Sequence, residues 1–329
     1  MRVVMMGTGT FAEPTFEALL ASRHEVVGLV TQPDRPAGQE RGSTRQTGKG
    51  MKVIAQENAV PVLQPESINT PEGVAGLRAL APEILVVAAY GQILSGEVLQ
   101  VPPRGGINVH ASLLPKYRGA APVAWAIYHG EKQTGVTIIR MTTGLDAGDM
   151  LAQEAVDIGP EETAGELEAR LSAVGARLAM QVLDQIEAGT AKGVKQDPSQ
   201  VTKAPKLKKE HGLIDWNRPA DQICNHIRAM QPWPTAYTFF HRGGKPPMRV
   251  MICRADVSQG FGSGGVPGRG GTPGLAWVSS GRLYVETSGQ LQLVNVLELQ
   301  PSGKKRMSAA EFLRGHPIQA GDHFGPEKE

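Results

Sequence analysis

Five short apolar runs mark the first half of the chain: RVVMMG (2–7), EVVGLVT (25–31), EILVVAAYG (83–91), GINVH (106–110) and GVTIIRM (135–141). The early ones are separated by stretches with helical spacing, EPTFEALLAS (13–22) and GKGMKVIAQENAV (48–60). Several runs are apolar on both faces, which suits strands covered on both sides. Strands alternating with helices build an α/β layer around a mainly parallel sheet. A helix rich in Ala, Leu and Glu over about 163–188 closes this unit, so 1–189 is assigned to one domain.

At 329 residues there is chain enough for a second domain. Over 190–209 apolar periodicity stops and lysines recur, which predicts a basic linker. Beyond it come a helical piece, ADQICNHIRAM (220–230), and strand-like segments MRVMICRADV (248–257), LAWVSSGRLYVET (275–287) and LQLVNVLELQ (291–300). Short strands with glycine turns predict a small β-barrel over 210–329, and an OB-like barrel, the oligonucleotide-binding type, matches its size. The eight glycines of SQGFGSGGVPGRGGTPG (258–274) predict a mobile surface loop.

Composition removes several classes. Lys plus Arg number 34 against 32 Asp plus Glu, so nucleic-acid affinity has to come from local patches. Cys224 and Cys253 are the only cysteines, which argues against a disulfide framework and against a thiolate zinc site. The opening MRVVMMGTGT enters a glycine turn without a leader pattern, and no apolar window reaches about 18 residues. The expectation is a soluble, cytoplasmic protein in a reducing compartment.

In an open parallel sheet, ligands gather beyond the carboxyl ends of the strands. One run ends in Tyr90-Gly91, another in Asn108 and His110, and a third leads into TTGLDAGD with Asp146 and Asp149. These clusters are expected to emerge at one edge. Singly, each reads as structure: a hydrogen-bonded strand end, or an aspartate-stabilised turn. Together they supply a donor for an oxyanion, an acid or base near neutral pH, and a carboxylate to orient it or accept a proton. Ser112 lacks the G-x-S-x-G elbow of a serine nucleophile, so direct transfer between two bound substrates fits better. GTGTFA (7–12) satisfies a loose dinucleotide fingerprint, yet the acid expected about 20 residues on is represented only by Asp34, beyond Pro33. Cys224 and His226 have no partners at metal spacing, and Trp216 and Trp233 read as packing residues.

INVHASLLPKYRGAAPVAWAI, TGVTIIRMTTGLDAGDM, VTQPDRPAGQ, IDW (214–216), PWPTAY (232–237) and LQPSGKKRMSAAEFL (299–313) run in order along nearly the whole chain. In these motifs the chain resembles the methionyl-tRNA formyltransferase family, within the wider class of enzymes that use 10-formyltetrahydrofolate. The resemblance implies a Rossmann-like formyltransferase domain, a C-terminal tRNA-binding domain, a folate co-substrate, methionyl initiator tRNA as partner, a monomer, and no metal. It implies a catalytic trio of Asn108, His110 and Asp146. The pterin would lie against the backbone at Tyr90 and Gly91 and near Gly144 and Leu145, with Ser112, Leu113, Leu114 and Pro115 shaping the pocket through a cis Leu114-Pro115 bond. Candidate tRNA contacts are Arg35, Arg41, Arg45 and Lys49 in the basic loop, Lys203, Lys206, Lys208 and Lys209 on the linker, and Lys304, Lys305 and Arg306 near the end. The family usually has proline where Gly9 stands, and the loop 34–52 lacks a proline-rich ending. Rival readings are a formyltransferase acting on a sugar-nucleotide or other small amine, and a noncatalytic tRNA-binding protein on the same scaffold.

Overall fold

The computed structural model describes residues 1–34, 49–259, 272–288 and 292–328. Its chain forms two compact units: Met1–Val123, Lys132–Gly159 and Gly165–Lys206 make the first, and Ala124–Glu131, Pro160–Ala164 and Leu207–Glu329 the second.

The first unit runs β1 (Arg2–Gly7), α1 (Glu13–Leu20), β2 (Glu25–Val30), α2 (Met51–Glu57), β3 (Val62–Leu63), α3 (Pro71–Ala79), β4 (Ile84–Ala88), α4 (Gly96–Gln100), β5 (Gly106–His110), β6 (Arg118–Gly119), α5 (Pro122–Tyr128), β7 (Gln133–Arg140), β8 (Met150–Asp157), α6 (Ala164–Glu187) and β9 (Lys203–Ala204), α5 falling mostly in the second unit. Val3 to Met6 and Ile84 to Val86 are fully buried, as strands covered on both faces require. The main sheet has the order β3-β2-β1-β4-β5-β7-β8. Its first four pairings are parallel, whereas β5–β7 and β7–β8 are antiparallel. The sheet is therefore mixed. Strand order reverses between β1 and β4, the crevice at which such sheets bind ligands. Side chains cap two of the flanking helices: Thr70 Oγ1 accepts from Gly73 N at α3, and Ser95 Oγ from Val98 N at α4.

Residues 190–206, expected as a linker, are tied into this unit. Val194 bridges Met150, and β9 pairs in parallel with β6. Lone two-residue strands carry no periodicity, so this attachment is invisible in composition.

The second unit contains α7 (Ala220–Ala229), β10 (Tyr237–Arg242), β11 (Lys245–Gln259), β12 (Ala276–Ser279), β13 (Arg282–Glu286), β14 (Gln292–Pro301), β15 (Met307–Ser308), α8 (Ala309–Gly315) and β16 (His323–Gly325). Its antiparallel sheet has the order β12-β13-β14-β11-β10-β16, with β15 added to β14. The sheet curls, and an antiparallel bridge from Leu275 to His323 ties the approach to β12 to the last strand. The segment 275–287 is a hairpin: Ser280 (φ 50°) and Gly281 (φ 73°) both take left-handed backbone, the geometry of a tight turn between twisted strands. Phe240 stacks on Phe324 at 4.9 Å and meets Phe312 edge-on at 5.7 Å, forming the centre of the core. Trp216 is buried and donates to Thr238 Oγ1 at 3.0 Å, a packing role as expected. No helix among the described residues is long and apolar enough to cross a membrane. Most of the expected glycine loop, 260–271, lies outside the described residues.

Candidate active site

Alternation along β5 sends Ile107 and Val109 into the core and leaves Asn108 and His110 on the opposite face. Asn108 Nδ2 donates to Asp146 Oδ1 at 3.4 Å, and His110 Nδ1 lies 3.6 Å from Asp146 Oδ2. The structure thus brings the three residues into one cluster. His110 is 5% exposed and the Asp146 side chain 12%, so little water screens the contact between them.

Asp146 does not arrive by the expected route. Because β7 runs antiparallel to β5, the carboxyl end of β7 lies at the amino end of β5, where Met141 N donates to Gly106 O. The loop 142–149 must turn back to reach Asn108. Two contacts hold it there: Gly119 N donates to Asp146 Oδ2 at 2.9 Å, and Gln196 Nε2 donates to the carbonyls of Asp146 (2.7 Å) and Gly148 (2.8 Å). Arg118 in turn donates to Gln196 Oε1 through Nε and a terminal nitrogen. Asp146 itself sits at φ 47°, a conformation that short polar side chains tolerate better than most. Sequence reasoning did not single out Gln196, Gly119 or Arg118 as parts of the site. Gln196 carries no local signal, since its segment is brought here by the Val194–Met150 bridge and the β6–β9 pairing.

His110 Nε2 lies 3.0 Å from the Tyr117 carbonyl, which can only accept, so Nε2 carries a proton. Tyr117 adopts φ 62°, and its own N–H donates to Thr202 Oγ1.

The segment Ser112–Pro115 is locked by Lys116 and by side chains of β7 and β8. Ser112 is fully buried and its hydroxyl donates to Lys116 O, which leaves it no role as a nucleophile. Thr137 Oγ1 donates to Ser112 O and accepts from Leu114 N, while Gln153 donates to Leu114 O. Leu113 packs against Gly135 of β7, a position where an added Cβ would sit 2.6 Å from Leu113 Cδ2. The Leu114-Pro115 peptide is cis.

The ring of Tyr90 is 2% exposed and belongs to the core with Val4, Met6, Val87 and Leu94. Its hydroxyl has no hydrogen-bond partner among the described residues, and burial pushes the phenol up to about 12. Only its backbone faces the crevice, where Tyr90 O accepts from Gln32 Nε2 at 3.0 Å, next to Gly91 at φ 83°. An added Cβ at Gly96 would lie 3.8 Å from Thr143 Cγ2, so the turn into α4 adjoins the loop that carries Gly144 and Leu145. Leu145 is 59% exposed and Ile93, in the facing turn, 70%. The fingerprint carboxylate Asp34 is engaged: Lys52 forms an ion pair with it and Gln64 Nε2 donates to it, holding it below the usual carboxylate range.

Arg35, Arg41 and Arg45 lie outside the described residues. Lys49 is exposed and pairs with Glu57. Lys203, Lys206, Lys208 and Lys209 are exposed along 203–209, Lys208 standing 3.8 Å from Glu210. Lys304 and Lys305 are exposed, whereas Arg306 is bound to Glu298. Among the described residues, one trio places metal-type ligand atoms together, His24, Asp184 and Glu187. Arg23 already reaches both carboxylates at 2.7 Å, which gives that cluster its cation.

A formyl transferase profile matches residues 1–183, and the profile of the formyl transferase C-terminal domain matches 206–317. The methionyl-tRNA formyltransferase of Geobacter sulfurreducens is 44% identical over 326 residues, 99% of this chain and 97% of that protein. The one from Pelotomaculum thermopropionicum is 44% identical over 327 residues, 99% of each chain. Among solved structures, the sugar 3N-formyl transferase WlaRD has a similar fold, with a TM-score of 0.65 at 16% identity, covering 93% of this chain and 99% of that one. HypX from Aquifex aeolicus superposes with a TM-score of 0.59 at 15% identity, covering 95% of this chain and 47% of that one. With matches to both domains and relatives this similar over their full length, the chain belongs to the methionyl-tRNA formyltransferase family.

Proposed function

We propose that this protein transfers the formyl group of 10-formyltetrahydrofolate to the free amino group of methionyl initiator tRNA. The observation that carries the reading is the convergence of Asn108, His110 and Asp146 on one face of β5, in a chain whose relatives bear that activity in their names. WlaRD was solved with 5-N-formyl-THF and HypX with tetrahydrofolic acid, which supports a folate co-substrate in this fold.

The residues divide by task. Asn108 Nδ2 donates to the formyl oxygen as the amine nitrogen adds to the formyl carbon and charge collects on that oxygen. With Nε2 committed to Tyr117 O, His110 acts through Nδ1, donating to the same oxygen when protonated. Asp146 balances that charge and draws the proton released by the amine, which ends on the departing folate nitrogen or in water. Ser112–Pro115, held by Lys116, Thr137 and Gln153, acts as a rigid wall. The backbone at Tyr90-Gly91 and the exposed Ile93 and Leu145 suit a flat heterocycle with apolar faces and hydrogen-bonding edges.

The lysines at 203–209 and 304–305 would follow phosphates without reading sequence. Arg306, tied to Glu298, is a weaker candidate. The OB-like reading of the second unit is supported by the bridge from Leu275 to His323. We take the protein to work as a cytoplasmic monomer without a metal.

Single-turnover formylation of methionyl initiator tRNA tests the trio. Asn108→Ala and His110→Ala should each slow transfer by about 10²- to 10³-fold while leaving tRNA affinity unchanged. A fully active His110→Ala would overturn the mechanism.

A further inference from the structure

The outer face of β10 and β11 carries a second recognition surface that the formyl-transfer site does not use. Tyr237 and Phe239 point to the same side of β10, two residues apart, and Arg249 of β11 lies directly opposite Phe239 in the ladder. The Arg249 guanidinium sits over the Tyr237 ring, 4.0 Å from its centre, while Phe239 meets Tyr237 edge-on at 6.1 Å. Both aromatic rings are only half-buried and Arg249 is exposed, so the stack forms a surface and not a core. Around it lies a cleft of about 660 Å³ lined by Tyr237, Phe239, Met248, Arg249, Ser302 and Glu327. That volume is within the range of roughly 300–1,000 Å³ typical of small-ligand sites.

The rims of the cleft differ in charge. On one side, Ser302 N donates to Arg249 O and lines the cleft, and the turn that follows it carries the exposed Lys304 and Lys305. On the other, β16 pairs with β10 and His241 Nε2 donates to Pro326 O at 2.8 Å, which anchors the tail and sets Glu327 at the cleft. A guanidinium already stacked on an aromatic ring presents its free face as a flat, cationic platform, on which an unpaired base packs well. Lysines in the turn just past Ser302 suit the phosphate of a nucleotide whose base sits on the stack. A carboxylate on the other rim selects against phosphate and in favour of a base edge with two adjacent donors, which among the four RNA bases is the N1–H and N2–H₂ edge of guanine.

We propose that this cleft binds one unpaired guanine nucleotide of RNA, with the base on Arg249, the guanine edge at Glu327 and a phosphate at Lys304 and Lys305. The inference rests on the reading that the chain acts on an RNA substrate, and adds a base-selective contact to phosphate binding.

Anisotropy titrations of the full chain with fluorescein-labelled pentaribonucleotides UUGUU, UUAUU and UUUUU test it. UUGUU should bind about 10-fold more tightly than UUUUU, the scale of one stacked base. Arg249→Ala, at an exposed site, should remove that advantage. Glu327→Gln should bring UUGUU down to the level of UUAUU. Equal affinity for the three pentamers, or an Arg249→Ala protein that binds UUGUU like the parent, overturns the proposal. Formyl transfer measured on the same preparation separates the two readings: intact transfer without guanine preference overturns only the cleft, and guanine preference without transfer overturns only the catalytic reading.

Discussion

Gln196 Nε2 donates to the main-chain carbonyl of Asp146 at 2.7 Å, so a residue 50 positions away in sequence holds the site's carboxylate in its left-handed turn. The same amide reaches Gly148 O, and its oxygen accepts from Arg118. Gln196→Leu preserves volume but leaves two carbonyls and a guanidinium without these partners. The expected cost is about 1–3 kcal/mol in stability, read by urea titration. A roughly 10-fold fall in kcat with little change in tRNA KM should accompany it, because the carboxylate is displaced and the RNA surface is not. Unchanged kcat would show that the Asp146 loop holds its shape without this clamp.

Asp146→Asn keeps the shape of the loop while removing its charge. Asparagine tolerates φ near 47°, and its side-chain oxygen still accepts from Gly119 N. What is lost is the negative charge 3.6 Å from His110 Nδ1 and the acceptor for Asn108 Nδ2, which then faces an amide NH2. The expected result is a 10²- to 10⁴-fold lower kcat, of the order of a lost general-base contribution, with Tm changed by only a few degrees. Stopped-flow formyl transfer and thermal melts on one preparation check both halves.

At Tyr90 the hydroxyl has no partner among the described residues although the ring is in the core. Tyr90→Phe therefore removes a buried polar atom without breaking a bond, and should raise stability by about 1 kcal/mol. Burial holds the phenol at about 12 in the folded chain, above an ordinary value of 10. The neutral phenol's stabilising share is complete below pH 10 and is lost as pH rises from 10 through 12. Alkaline melts of the parent and Tyr90→Phe should diverge over that window.

In the second unit, burial pushes the His226 imidazole down to about 4, and its Nε2 lies 2.7 Å from His211 O. The fold favours the neutral ring. Stability from this group is complete above pH 6.5 and declines as pH falls through 4, by roughly 3 kcal/mol in all. His226→Gln keeps a donor toward His211 O and cannot charge, so the acid side of the stability profile should flatten between pH 6.5 and 4. An unchanged acid limb in thermal melts would assign the loss to other groups.

The strands and the catalytic cluster were legible for different reasons. RVVMMG and ILVVA are buried on both faces and the apolar runs mark β1 and β5 to the residue and β4 within three. Asn108 and His110 stand out because β5 becomes polar on one face only. What could not be read was direction: GVTIIRM looks the same whether β7 runs with β5 or against it, and the antiparallel pairing changes how Asp146 reaches the site. Nor could composition show that 190–206 binds the first unit, since Val194, Lys203 and Ala204 make those attachments singly or in pairs. The resemblance sets the folate against the backbone at Tyr90-Gly91, and the structure keeps the Tyr90 ring in the core with its carbonyl on Gln32, a division set by the pleat.

One measurement bears most directly on the account: the ratio of kcat/KM for formyl transfer from 10-formyltetrahydrofolate to methionyl initiator tRNA over that to a dTDP-linked amino sugar. The account predicts efficient transfer to the tRNA amine, at least 10³-fold above the sugar nucleotide, and loss of the tRNA reaction in Asn108→Ala. Comparable or preferred transfer to the sugar-nucleotide amine would contradict it.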